Sequence, residues 1–215
     1  HSAGFCIVCA LDSLFMSLVN YISQALYIYE FVHHITIFSS SFMLFKQEYA
    51  YEFLLGVFNL LEMKFDDSKI PYGRKPCLPI NLLRDFFLCS TISIISCSNC
   101  LYTSSQTETC YGLSLSITAE MSLIAEMSFF TKTEELSDVS CDGCNHRVKA
   151  EKKILLKKRA PFLILQLNTF SSFEDKIKGC IAFPLLLDMS PYCSSLVDMC
   201  WPLPPRLNVY HMLFG

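Results

Sequence analysis

Two pairs of cysteines carry the clearest chemical signal in the chain. Cys97-Ser-Asn-Cys100 and Cys141-Asp-Gly-Cys144 each hold two thiols either side of a two-residue loop, and two such CxxC knuckles supply the four thiolates of a closed tetrahedral zinc site. The short loop lets both sulfurs of a pair face one point, and Gly143 gives the second knuckle a permissive backbone. Four sulfurs leave no open coordination position, so the Zn2+ would be structural rather than catalytic. Residues 101 to 140 separate the pairs, too long a stretch for a self-contained zinc ribbon, which predicts knuckles at the tips of neighbouring hairpins in a larger sheet. The competing reading is unrelated buried thiols that fall at this spacing, in a chain with 12 cysteines. A redox dithiol is disfavoured, because neither pair opens a helix after a buried strand.

A third pair, Cys6-Ile-Val-Cys9, has no partner knuckle. It reads either as two half-buried helix cysteines or, with His1, as part of a metal site whose remaining ligand lies upstream. Nothing near the N-terminus resembles a secretory leader, so the thiols point to a reducing compartment, cytoplasmic or nuclear.

The elements that must position these thiols follow from the rest of the sequence. With 52% apolar and 17% charged residues among 215, the chain buries enough surface to fold, which excludes a disordered tail. A net charge of -3 offers no global basic field, so nucleic acid is not an expected partner. The mean hydropathy of +0.37 raises the question of a membrane span. Residues 86 to 107 carry no charge, but their Ser, Thr, Cys and Asn content and the lack of Lys/Arg flanks argue against one.

Apolar residues at 11, 14, 15, 18, 22, 25 and 26 predict an amphipathic helix, and Ala50, Phe53, Leu54, Val57, Leu60 and Leu61 predict a second over 47–62. Three prolines and a glycine between Asp66 and Pro79 mark a loop. Past residue 80 the signal is mostly β: Ser90 to Ile95, the alternation at Leu113, Leu115 and Ile117, then Val148 to Leu156, and an apolar run Phe162 to Leu167 suited to a central strand. Residues 120–136 read as a helix and Asp188 to Pro191 as a turn. Helices first and sheet afterwards predict an α+β fold.

Several segments together resemble the ubiquitin-specific protease family of deubiquitinating enzymes. VSCDGCNHRVKAEKKILLKKRAPFLILQLNTF at 139–170 is similar to the family's second knuckle, the strand after it and the AP-x-x-L-x-x-x-L-K-R-F strand, with Asn168-Thr169 where Lys-Arg is usual. IAFPLLLDM at 181–189 looks like the FP-x-x-L-D-M segment, and SLIAEMSFFTKTEEL at 122–136 like the SL-x-x-x-L-x-x-F-T-x-x-E-x-L helix. QEYAYEFL at 47–54 matches the QEDAHEFL box with tyrosines for Asp and His, and the opening HSAGFCIVCAL is like a GFC-x-x-C stretch of some members.

The resemblance implies a papain-like hand, incomplete here: thumb helices at 1–65, a loop at 66–80, a fingers region at 81–158 tipped by zinc on Cys97, Cys100, Cys141 and Cys144, and palm strands at 159–215. It implies ubiquitin or ubiquitinated proteins as partners and thiol-dependent hydrolysis of the isopeptide bond after ubiquitin's terminal glycine, which needs a thiolate, a histidine and oxyanion donors. No residue of this chain matches the family's N-x-G-N-T-C or G-H-Y boxes. The chain reads as cut at both ends, so no catalytic residue is assigned and the polypeptide alone is expected to be inactive. His33, His34 and His146 read as structural, and His211 as part of the strand Val209 to Phe214. The resemblance also implies that the aspartate replaced by Tyr49 helps hold ubiquitin's arginine-rich tail. Losing such a charge-assisted bond costs about 1.5–3 kcal/mol, tenfold or more in affinity. A non-catalytic ubiquitin-binding scaffold is the alternative, and a small membrane protein the third.

Overall fold

A computed structural model describes residues 4–20, 28–46, 48–66, 81–117, 119–168, 179–194 and 206–208. The chain divides into two compact units near residue 83.

The first unit is helical. Helix α1 (Ile7–Asn20) starts after Gly4, whose φ of +87° only glycine adopts freely. Ile7 and Ala10 are its buried residues, Leu11 and Leu14 are half-buried, and Phe15 and Leu18 lie exposed. The apolar stripe expected from Leu11 onward is therefore rotated toward the helix start, and the expected residues 22, 25 and 26 lie outside the described ones. A short helix α2 (Tyr29–His33) and a 3-10 turn (Ile35–Ile37) follow, then α3 (Ala50–Asp66). The α3 start carries Glu52 and its end Lys64, each the sign the helix dipole favours. The core of this unit is aromatic: Phe38 lies 5.7 Å from Phe5, 6.0 Å from Phe31 and 4.5 Å from Phe53, centroid to centroid. Gly56 lets α3 approach this cluster, since a Cβ there would fall on the Phe38 carbonyl oxygen and Cα.

The division falls within α4 (Leu82–Phe87), and in the second unit this leads into β1 (Cys89–Cys97), which turns into β2 (Thr103–Cys110). Strands β4 (Glu134–Ser140) and β5 (Arg147–Lys158) form a second hairpin. The two hairpins join through antiparallel β1 and β5 into one sheet of order β2-β1-β5-β4. The uncharged window 86–107 is thus mostly a β-hairpin, and among the described residues no helix is long and apolar enough to cross a membrane.

Apart from this sheet, β3 (Leu113–Ser116) pairs in parallel with β6 (Leu165–Asn168), and Ser114 donates a hydrogen bond to the Asn168 side-chain oxygen at 3.1 Å. The apolar run 162–167 contributes β6 only from Leu165, and among the described residues β3 is its one partner strand. Helix α5 (Leu123–Phe130) is capped by Ser122, whose hydroxyl accepts from the Ala125 N–H at 3.1 Å. Thr131 ends it, and Glu134 onward is strand β4, so the helix expected over 120–136 is shorter by three residues at its start and six at its end. Strand β7 (Leu186–Asp188) pairs with β8 (Arg206–Asn208). The core joins Cys89, Leu113, Leu115, Leu123, Met127, Leu156, Leu187, Met189 and Tyr192. It thereby gathers the roots of both hairpins, α5 and the 186–189 segment around one apolar centre.

Candidate metal centre

The two hairpin tips repeat one hydrogen-bond scheme. In the first, the Cys97 N–H donates to the Tyr102 carbonyl at 2.8 Å and the Leu101 N–H to the Cys97 carbonyl at 3.2 Å. In the second, the Cys141 N–H donates to the His146 carbonyl at 3.0 Å and the Asn145 N–H to the Cys141 carbonyl at 2.8 Å. The fourth residue after the leading cysteine is left-handed in both, Leu101 at φ 60° and Asn145 at φ 54°. Such a backbone costs about 1–2 kcal/mol for a residue like leucine, and it holds here because the turn bonds on either side of it close. Each leading sulfur also accepts a backbone N–H, Cys97 from Asn99 at 3.4 Å and Cys141 from Gly143 at 3.3 Å.

Pairing of β1 with β5 sets the knuckles side by side, with Cys97 opposite Ala150. The four sulfurs of Cys97, Cys100, Cys141 and Cys144 all lie within 4.8 Å of one another. Tetrahedral zinc at ~2.3 Å from each thiolate sets its sulfurs ~3.8 Å apart, and Cys100 and Cys141 stand at 3.7 Å. The donor set and its spread fit a metal ion held by four thiolates. Gly143 serves this closeness in a way its sequence position did not disclose. Its backbone is not left-handed; instead a Cβ would stand 2.6 Å from the Tyr102 Cβ and 3.2 Å from the Cys100 sulfur, in the facing knuckle.

The N–H groups of Cys100 and Asn99 hold the Cys97 thiol down to about 7, against the pull of burial. Cys100 is the counterpart: the Tyr102 N–H favours its thiolate, but burial and the thiols of Cys97, Cys141 and Cys144 push it up to about 12. One thiolate is therefore favoured in the bare cluster while Cys100 keeps its proton, the pattern of a site that sheds protons when it takes up a cation. A further anchor stands beside the second tip. Strand β4 bulges between Leu136 and Val139, with Asp138 at φ 61°, and the Asp138 carboxylate pairs with the Arg147 guanidinium at the start of β5.

The other sequence-marked thiols and imidazoles lie elsewhere. Cys6 directly precedes α1, and the Cys9 N–H lowers its pKa; Cys9, raised by the Cys6 thiol, is exposed rather than half-buried. His34 donates from Nδ1 to the Glu30 carbonyl at 3.0 Å and lies against Phe5, with ring centroids 4.9 Å apart. The His146 ring bonds the Cys144 carbonyl, while His1 and His211 fall outside the described residues. In the QEYAYEFL segment, the Glu48 carboxylate accepts the Met43 N–H at 2.9 Å and Glu52 accepts the hydroxyls of Ser39 and Ser41. Both glutamates thus tie down the loop before α3, and Tyr49 is 55% exposed. Gln47 lies outside the described residues.

Comparison with known proteins agrees with this architecture. The family model for ubiquitin carboxyl-terminal hydrolase matches residues 2–202, and the chain belongs to that family. It is 32% identical over 212 residues to ubiquitin carboxyl-terminal hydrolase 21 of Arabidopsis thaliana, covering 97% of this chain and 28% of that protein. Ubiquitin carboxyl-terminal hydrolase 51 of Mus musculus is 24% identical, across 90% of this chain and 33% of its own length. Among solved structures, the SAGA DUB module of Ubp8, Sgf11, Sus1 and Sgf73 bound to monoubiquitin superposes with a TM-score of 0.72 at 26% identity, over 88% of this chain and 44% of that one. The same module bound to ubiquitin aldehyde gives 0.71 at 25% identity, with the same coverage of both chains. The fold is the α+β fold of the ubiquitin-specific proteases, with the cysteine cluster at its finger tip. The chain spans about a third or less of the length of these two curated relatives.

Proposed function

We propose that this chain is a ubiquitin-binding part of a deubiquitinase domain, with one structural Zn2+ held by Cys97, Cys100, Cys141 and Cys144. Residues 1–65 act as thumb helices, 66–80 as a loop, 81–158 as fingers and 159–215 as palm strands. The observation that carries this reading is the four-sulfur cluster between two hairpin tips of a family-typical sheet. Bound zinc would supply a rigid cross-link between the hairpins and no reaction chemistry. Ubiquitin, free or attached to other proteins, is the partner, as it is for the Ubp8 modules bound to it. The chain works in a reducing compartment, cytoplasmic or nuclear, where paired cysteines serve as metal ligands rather than as structural disulfides.

Isopeptide hydrolysis is the chemistry of the domain as a whole, and the 215 residues alone are catalytically inactive. Supporting this, neither the N-x-G-N-T-C nor the G-H-Y box occurs in the sequence. Among the described histidines, His34 and His146 each bond a backbone carbonyl and His33 stacks on Tyr29. Tyr49 predicts weak ubiquitin affinity. The test incubates the purified chain with a fluorogenic ubiquitin C-terminal substrate and, separately, titrates it with ubiquitin. Measurable binding without turnover is expected; thiol-sensitive turnover would overturn the inactive assignment, and no binding at millimolar ubiquitin the partner assignment.

A further inference from the structure

A second set of sulfurs meets at the other end of the finger hairpin. Cys89 opens β1, Cys110 closes β2, and the two are direct register partners. Their sulfurs stand 3.3 Å apart, within hydrogen-bond reach of each other, and the Cys89 sulfur also lies 3.1 Å from the Cys110 carbonyl oxygen. Opposed residues of an antiparallel pair have Cα atoms about 4.5–5.5 Å apart, inside the ~4.4–6.8 Å that a disulfide spans. The backbone of the hairpin root is thus already placed for an S–S bond. Neither residue belongs to the fingertip cluster, which lies at the far end of the same strands.

We propose that Cys89 and Cys110 form a peroxide-sensitive dithiol that closes to a cross-strand disulfide at the root of the finger hairpin. The two thiols have unequal access, which sets the order of events. Cys89 is fully buried in the apolar core, whereas Cys110 is half-buried at its margin and is the sulfur an oxidant reaches. The Cys89 thiol, by donating to it, favours the Cys110 thiolate and brings its pKa to about 7; Cys89 itself is held protonated by the same contact and by burial.

In the first step the Cys110 thiolate attacks one oxygen of hydrogen peroxide. An S–O bond forms, the O–O bond breaks, and the departing hydroxide takes the proton that Cys110 gave up, leaving as water. In the second step the Cys89 sulfur displaces the sulfenic oxygen. The S–S bond forms, the S–O bond breaks, and the Cys89 proton leaves with the hydroxyl as a second water. Two electrons pass from the sulfur pair to peroxide. Such a bond in a reducing compartment is transient and serves sensing rather than structure. The reduced state returns by exchange with two equivalents of a small thiol, which leave joined as its disulfide.

The test treats the native full chain with one equivalent of hydrogen peroxide, blocks remaining thiols with an alkylating agent and maps the peptides. Expected is a linked peptide pair containing residues 89 and 110, lost on treatment with dithiothreitol. In Cys89→Ser the link is absent, and Cys110 proceeds instead to sulfinic acid at higher peroxide. Finding both residues fully alkylated while other thiols oxidise, or Cys110 over-oxidised without a link in the unmodified chain, would overturn the proposal. The map of the unmodified chain decides the matter even where a variant fails to fold.

Discussion

The finger hairpin β1–β2 carries sulfur at both ends, and the two ends differ in what surrounds it. At the tip, Cys97 and Cys100 sit in a turn whose backbone N–H groups point at sulfur, beside a second turn built the same way. At the root, Cys89 is enclosed by Leu113, Met127, Leu156 and other core side chains, with the Cys110 sulfur at 3.3 Å. Backbone donors hold Cys97 toward its thiolate among three further converging sulfurs, a set that suits a cation; apolar enclosure keeps Cys89 a thiol, which leaves Cys110 at the core margin as the thiolate of that pair. The spacing of cysteines along the chain is therefore less informative than the ends of the strands they occupy. Two cysteines 21 residues apart meet more closely than Cys100 and Cys141 do at the tip.

The contrast is most exposed to refutation at the tip. Cys141→Ser removes one of four ligands and also the sulfur that accepts the Gly143 N–H. Structural zinc contributes on the order of 10–16 kcal/mol of apparent binding free energy in small zinc domains. The expected outcome is loss of stoichiometric zinc by elemental analysis and loss of amide protection at 97–102 and 141–147, with the root sheet less affected. Retained one-to-one zinc would remove the four-sulfur assignment.

The root answers to a different substitution. Met127 is fully buried at the centre of the second unit's core. Met127→Ala leaves a cavity among residues already close-packed and is expected to cost about 2–5 kcal/mol. A denaturant melt of the zinc-loaded chain measures this, and a midpoint shift without loss of zinc would show that root packing and tip ligation are separable.

How much of this contrast is legible in the sequence depends on which principle governs each position. The two CxxC pairs are legible because their spacing is a local geometric requirement, and β5 because Val148, Ala150, Lys152 and Ile154 alternate over a long run. Strand β2 is not: TSSQTETC is almost entirely exposed, so no apolar alternation marks it, and only pairing with β1 makes it a strand. The sequence pattern overextends helix α5 because Thr131 to Leu136 holds no glycine or proline and includes two helix-favouring glutamates. The Thr131 hydroxyl instead bonds back to the Met127 carbonyl, and the helix ends there. The Cys89–Cys110 contact depends on the register of a hairpin whose second strand has no apolar signature, and no local signal reports it. The left-handed Leu101 is likewise fixed by turn bonds, where sequence preference would point to glycine or asparagine.

Between these extremes lies the fit of one knuckle against the other. Gly143→Ala would place a methyl against the Tyr102 side-chain carbons and the Cys100 sulfur. Overpacking of this kind costs about 1–3 kcal/mol. It falls on the joint between the tips rather than on any ligand, so zinc is expected to bind one-to-one but about 5- to 150-fold more weakly. Competition with a chromophoric chelator measures the shift. Unchanged affinity would mean that the knuckles do not depend on their mutual approach.

The smallest effect is expected at the bulge beside the second tip. Arg147 and Asp138 form an ion pair with both side chains well exposed, at 72% and 66% of their free area. Water and salt screen such a pair, and exposed pairs contribute about 0–1 kcal/mol. Its position nevertheless matters locally, because Asp138 is the left-handed residue of the β4 bulge and Arg147 is the first residue of β5. The pair thus ties the bulge to the strand that follows the knuckle. Arg147→Ala should therefore leave the melting midpoint nearly unchanged at physiological salt while speeding amide exchange at 137–140. If the pair instead carried much of the tip's stability, the variant would release zinc on mild heating. The distinction between a tip held by sulfur and a root held by apolar packing would then have to admit a third, electrostatic contribution.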